Sequence, residues 1–318
     1  MLPSTWPCYS DEEIEKVSSI LRSGKVNYWT GEEGRLFERE FAEYIGTRYA
    51  IAIANGSLAL DLIIQALGIS PGDEVIVSPR TFIASVGCIV SAGAIPVFAD
   101  VDPDSQNITA TTVRASLTAK TKAIICVHLA GWPCDMDEIM DIAKDKGLWV
   151  IEDCAQAHGA TYKGRAVGSL GHVAAFSFCQ DKIISTGGEG GMITTNDENL
   201  WDKIWSLKDH GKSYKAVFEQ THSPGFRWVH NSFGTNARMT EMQSAIGRIQ
   251  LRRLSDWNRQ RRSYAQAILS HCAKYSVLRA PQPGEEINHA YYKCYVFVVT
   301  EKIRADWNRN RIIQEVSH

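Results

Sequence analysis

Three short stretches of this 318-residue chain hold residue types that can do chemistry together. Lys182 lies between an apolar run at 173–178 and the glycine-rich stretch Gly187-Gly188-Glu189-Gly190-Gly191. An amine in such a place can be desolvated, and desolvated lysines form Schiff bases with carbonyl groups. A second stretch, Glu152-Asp153-Cys154-Ala155-Gln156-Ala157-His158-Gly159, follows the apolar Leu148-Trp149-Val150-Ile151. A carboxylate straight after a buried run is costly unless it is paired or hydrogen-bonded. Asp153 there could keep a cationic nitrogen protonated, because a nearby opposite charge favours the charged form. It also fits as a plain cap of the following turn. The third stretch, Asn55-Gly56-Ser57, ends an apolar run where a helix begins. Free N–H groups and the helix dipole make such a place an anion site, with Gly56 allowing close approach and Ser57 adding a hydroxyl. The alternative is an ordinary serine N-cap.

These stretches are positioned by a repeating pattern. Apolar runs at 50–54, 74–78, 95–101, 123–129, 148–153, 173–178 and 192–195 alternate with helical periodicity. Ala59, Leu62, Ile63, Ala66 and Leu67 mark one helix face. Another helix, with Met136, Ile139, Met140 and Ala143 on one face, is expected to be capped by Asp135 and ended by Gly147. Strands apolar throughout with helices between them predict an α/β fold with a mostly parallel sheet of about seven strands. Ligands in such sheets bind beyond the carboxyl ends of the strands, where all three stretches fall. Ahead of the sheet, Ser10 and Glu13 form a capping box and Gly24 and Gly46 stop two helices. After it, Met239, Met242, Ile246, Ile249, Leu251 and Leu254 stripe a helix, and 292–299 is expected to be a strand of a smaller α+β domain.

Composition excludes several classes of function. A formal net charge of -2 lacks the basic footprint of a nucleic-acid or anionic-membrane protein. The uncharged segment 81–99 contains Pro96 and is read as a buried helix and a buried strand rather than a membrane span. Eight cysteines without a Cys-x-x-Cys pair predict reduced cytoplasmic thiols and no zinc site. Residues 1–7 show no leader pattern. Neither a Gly-x-Gly-x-x-Gly turn, a P-loop nor a Gly-x-Ser-x-Gly elbow is present. Asp100, Asp102 and Asp104 imitate a calcium loop, but Ser105 and Thr111 stand where its Gly and Glu belong.

At these residues the chain resembles the DegT/StrS-type nucleotide-sugar aminotransferases, pyridoxal 5'-phosphate (PLP) enzymes of fold type I. The resemblance runs from about Gly31 onward. It rests on the three stretches above, on Pro71-Gly72-Asp73-Glu74-Val75, Thr81-Phe82 and Phe176-Ser177-Phe178, and on Asn236-Ala237-Arg238-Met239-Thr240-Glu241. It implies a three-layer αβα fold in which Lys182 holds PLP covalently and Asp153 pairs with the pyridinium nitrogen. Gln156 would lie near the ring hydroxyl, and Phe82 would stack on the ring. Gly56, Ser57 and Ser177 would bind the phosphate, with Asn236 reaching it from the second subunit of a homodimer. Gly234-Thr235 precedes Asn236 where the family often has Gly-Tyr.

Relatives with histidine at the Schiff-base position are sugar dehydratases, so Lys182 favours transamination. Gln180 and Asp181 replace the more usual small or aromatic residues before it, with no consequence expected. The implied activity moves an amino group from an amino acid, with glutamate expected, to a nucleotide-linked keto-deoxysugar. The alternatives are a PLP-dependent dehydratase and a non-catalytic PLP-binding regulator. Residues 1–250 are expected to form the large PLP domain and 251–318 a small domain, shortened relative to the family.

Overall fold

A computed structural model describes residues 6–221, 225 and 230–316. The chain termini at 1–5 and 317–318, where no leader pattern and an early stop are expected, lie outside the described residues. Two helices open the chain, α1 (Asp11–Ser23) and α2 (Glu33–Ile45). Gly24 and Gly46 end them at φ 68° and 79°, a backbone region that glycine enters without steric cost.

Then strands and helices alternate: β1 (Tyr49–Ile53), α3 (Gly56–Ala66), β2 (Glu74–Val77), α4 (Ala84–Ser91), β3 (Ile95–Phe98) and α5 (Ala110–Ser116). β4 (Thr121–Val127), α6 (Met136–Lys146) and β5 (Trp149–Asp153) follow. A small hairpin, β6 (Thr161–Tyr162) and β7 (Arg165–Ala166), leads into β8 (Val173–Ser177) and β9 (Gly191–Thr195). The remaining helices are α7 (Glu198–Lys208), α8 (Tyr214–Phe218), the 32-residue α9 (Glu241–Cys272) and α10 (Arg309–Val316). The short strands β10 (Leu278–Arg279), β11 (Ile287–Asn288) and β12 (Phe297–Val298) lie between α9 and α10.

All seven apolar runs enter one sheet, in the order β1-β9-β8-β5-β4-β2-β3. The pairs β2/β3, β2/β4, β4/β5 and β5/β8 are parallel, and β9 runs antiparallel to both neighbours. Successive side chains of a strand point to opposite faces. Val150, Ile124 and Phe176 therefore join the core beneath α2 and α6, while Ile151, Ile125 and Ala175 join the core beneath α3, α4 and α7. This is the expected mostly parallel α/β fold.

Several local expectations differ. Segment 81–99 does form a helix and a strand, but β3 is an edge strand, with Ile95 45% and Phe98 54% exposed. Pro96 suits that place, since an edge strand tolerates a residue without an N–H. Asp135 makes no capping bond to α6; its carboxylate accepts instead from the Tyr162 hydroxyl. Met239 precedes α9, whose cap is Thr240. Residue 250 lies inside α9, which packs along α1 and α2. Of the strand expected at 292–299, only Phe297–Val298 pairs, with β10. Residues 290–293 dock as irregular chain on Ala130 and Gly131, and Tyr291 takes φ 48°.

Candidate active site

A cavity of about 530 Å³ opens at the carboxyl ends of β4, β5 and β8, against the first turn of α3. Gly56, Ser57, Phe82, Asp153, Gln156, Ser177 and Lys182 all line it. Asn236 does not; it is exposed on another part of the chain, bridged to Asp209.

The anion end is built by backbone approach. Asn55, not Ser57, caps α3, accepting from the Leu58 N–H at 2.9 Å. Ser57 lines the cavity and is not needed as the cap. A Cβ on Gly56 would meet Ser177 Cβ at 2.7 Å, so only glycine lets the helix start and the end of β8 touch. That contact brings the Ser57 and Ser177 hydroxyls and the helix N-terminus to one end of the cavity, an arrangement that attracts phosphate.

The acid is oriented from the opposite side. Asp153 ends β5 and is 7% exposed. Its Oδ2 accepts from the Ser85 hydroxyl at 2.6 Å and its Oδ1 from the Ala155 N–H at 3.1 Å. Thr81 shares a hydrogen bond with Ser85 at 2.7 Å, which extends the chain of polar groups to the cavity wall. Ser85 sits on α4 with no motif of its own, so nothing in the sequence singled it out. Phe82, in the adjoining turn, is 67% exposed and lines the cavity.

Gln156 is oriented by a turn. Its Oε1 accepts from the Ala130 N–H at 2.7 Å, and Ala130 takes φ 58°. Committing the carbonyl oxygen to the backbone leaves the amide NH2 free as donor.

Lys182 stands at the other wall, its side chain only 15% exposed. Its Nζ lies 3.4 Å from Asp181 Oδ2 and 3.4 Å from the Tyr292 hydroxyl. Asp181, to which no consequence was assigned, therefore shares the amine with a tyrosine 110 residues away. Burial, then the Asp181 hydrogen bond and charge, push the Tyr292 phenol well up, so it stays a donor. Burial opposes ionisation of Asp181, but the Tyr292 hydrogen bond and the Lys182 charge outweigh it and hold the carboxyl below its usual range. The aromatic pattern around Tyr292 was legible only as a strand.

An amine, an oriented carboxylate and an anion cradle around one cavity at the strand ends define the class, a PLP-dependent aminotransferase of fold type I. The chain belongs to the DegT/DnrJ/EryC1/StrS aminotransferase family, whose sequence profile matches residues 7–318. It is 40% identical over 314 residues to the spore coat polysaccharide biosynthesis protein SpsC of Bacillus subtilis (strain 168), covering 98% of this chain and 79% of that one. Identity to GDP-perosamine synthase of Escherichia coli O157:H7 is 38% over 308 residues, covering 96% of this chain and 80% of the relative. Among solved structures, an aminotransferase from Psychrobacter cryohalolentis matches with TM-score 0.97 at 59% identity, over 99% of this chain and 82% of that one.

The residues present fit the cofactor. The hydroxyl-lined helix start suits a phosphate, Asp153 has acceptor capacity left beyond its two protein donors, and the Lys182 amine borders the same cavity.

Proposed function

We propose that the protein moves an amino group from an amino acid, with glutamate as the first donor to test, to the keto carbon of a nucleotide-linked deoxysugar. It would act in the cytoplasm as a homodimer. The observation that carries this reading is the convergence of Asp153, Gln156 and Lys182 on one cavity with the Gly56-Ser57 anion site. The sugar class is supported by the 38%-identical relative, a GDP-perosamine synthase.

PLP, when bound, supplies an electron sink for the negative charge that develops at the donor's α-carbon. Asp153 keeps the ring nitrogen protonated, since its carboxylate is held in the cavity by Ser85 and Ala155. Ser57, Ser177 and the α3 N-terminus would hold the phosphate, Gln156 would donate to the ring hydroxyl, and Phe82 would cover the ring face. Lys182 would hold the cofactor covalently, and its Nζ, when free, would be the base for the α-proton of the donor. Positioned acid–base catalysis of this kind contributes on the order of 10²–10⁴-fold. Asn236 is exposed and outside its own chain's cavity, which supports its reaching the phosphate of a partner subunit.

The test is incubation of the purified protein with PLP, glutamate and a panel of nucleotide keto-sugars, with products read by mass spectrometry. Amino-sugar formation that disappears in Lys182→Ala is expected. Full activity in that variant, or loss of water from the sugar without donor consumption, overturns the reading. For the shared site, mixing inactive Lys182→Ala and Asn236→Ala chains restores part of the activity if Asn236 serves the partner. No recovery in a verified mixed dimer removes that assignment.

A further inference from the structure

The Lys182 amine sits in a triangle of groups drawn from distant parts of the chain. Its Nζ lies 3.4 Å from Asp181 Oδ2 and 3.4 Å from the Tyr292 hydroxyl, with the Tyr292 ring centroid at 4.9 Å. The Tyr292 hydroxyl donates to the same Asp181 oxygen, so carboxylate, phenol and amine close on one another. Asp181 reaches this place from beside Lys182 itself. Tyr292 arrives on a docked segment: the Ala290 N–H donates to Gly131 O at 2.9 Å and the Lys293 N–H to Ala130 O at 3.2 Å. A Cβ on Gly131 would meet Ala290 Cβ at 2.9 Å, so the two segments are in close contact. The turn that receives the segment also orients Gln156 through the Ala130 N–H.

Two properties of this triangle point beyond simple packing. A free lysine side chain has many rotamers, and a reacting group that must be ordered anew in each cycle loses the advantage of pre-orientation. The two bonds to Nζ are also long. At 3.4 Å they lie beyond the usual 2.7–3.2 Å range and are weak enough for the amine to leave. A tight ion pair would retain it.

We propose that Asp181 and Tyr292 are positioning residues that seat the Lys182 amine at the cavity wall whenever it is not bonded to the cofactor. This inference rests on the reading of Lys182 as the cofactor lysine. The seat orders the amine between turnovers and returns it toward the same wall after each displacement by substrate. Tyr292 makes this arrangement depend on the docking of segment 290–293, which joins the region after α9 to the chemistry.

The experiment uses full-length protein and the variants Tyr292→Phe, which removes only the hydroxyl, and Asp181→Asn, which removes only the charge. The cofactor is first stripped, and the rate at which Lys182 is acetylated by trace acetic anhydride is measured by peptide mass spectrometry. Each variant is expected to raise that rate about 3- to 10-fold, the equivalent of one modest hydrogen bond. In the PLP-loaded protein, kcat of the donor half-reaction should fall about 10-fold while the donor KM changes less than about threefold. The double variant should be no worse than the worse single one, since the two residues act as a unit. Unchanged acetylation of Lys182 in both variants overturns the seat, including when melting temperatures drop. Should Tyr292→Phe fail to fold, Asp181→Asn, at a side chain 55% exposed, decides the matter by the same reading. If Lys182→Ala keeps full activity, the functional reading fails instead, and the acetylation rates still judge the seat.

Discussion

Glu152 and Asp153 are consecutive carboxylates at the end of β5, and the alternation of a strand sends them to opposite faces of the sheet. On one face, Glu152 is fully buried and accepts from four donors. These are His128 Nε2 at 2.9 Å and the N–H groups of Gly168, Leu170 and Gly171 at 2.8, 2.8 and 2.7 Å. His128 Nδ1 accepts from the Cys134 N–H at 3.0 Å, which leaves Nε2 to donate to Glu152. With Cys154, this group has the spacing of a metal site, yet the oxygens a metal would need are already occupied. On the other face, each Asp153 oxygen has one protein donor and the carboxylate borders the cavity. A charge whose acceptor capacity is filled from within holds the fold together. One with capacity to spare beside a cavity is available to a ligand.

The largest test of this contrast is Asp153→Asn. It should lower kcat on the order of 10²–10³-fold, the scale of losing one preorganised electrostatic partner, while unfolding free energy moves by no more than about 1 kcal/mol. Steady-state rates and urea titration check the two halves. Glu152→Gln should do the reverse. Breaking a buried, fully bonded charge costs about 3 kcal/mol or more of stability, yet the folded fraction should keep its kcat within about threefold. If both variants fail by the same route, the contrast is wrong.

Ser85→Ala sharpens the comparison, since it removes one of Asp153's two donors. A fall of about 10-fold in kcat/KM is expected, with the visible absorbance of bound cofactor shifted in its pH titration. A further test concerns a third polar group of the same stretch. His158 is buried like Glu152, but its ring nitrogens have no hydrogen-bond partner among the described residues, and it lies against Phe176 and Phe178. Burial, with the Lys182 charge adding to it, pushes the imidazole from 6.5 down to about 3. The unfolded chain therefore takes up a proton that the folded one refuses, and stability falls as pH drops from about 6.5 toward 3. Urea unfolding between pH 7 and 4 should show His158→Leu losing up to about 1.4 kcal/mol per pH unit of that slope relative to the parent chain.

Much of this site could be read from local pattern. The seven apolar runs are the seven sheet strands, and the residues at their exits meet because parallel strands place all their carboxyl ends on one side. What could not be read were partners brought by distant segments. Ser85 lies 68 residues from the acid it orients, and Tyr292 110 residues from the amine it holds. The pattern around Tyr292 suggested a strand because aromatic residues favour pleated surfaces, but a strand also needs a free edge, and 290–293 meets a turn instead. The edge position of β3 was hidden for a related reason: uncharged residues are compatible with either a central or an edge place.

By itself the sequence determined which residues carry reactive groups and which seven apolar runs supply the strands of the main sheet. Side-chain alternation and helix periodicity depend on neighbours a few positions away, so a single chain read in order contains them. Only the tertiary structure decided the sheet order, which of two adjacent carboxylates is filled and which is free, and the Asp181–Tyr292 seat for Lys182. Each of these depends on hydrogen-bond valences supplied across the fold, and valence cannot be counted until the distant donors are in place.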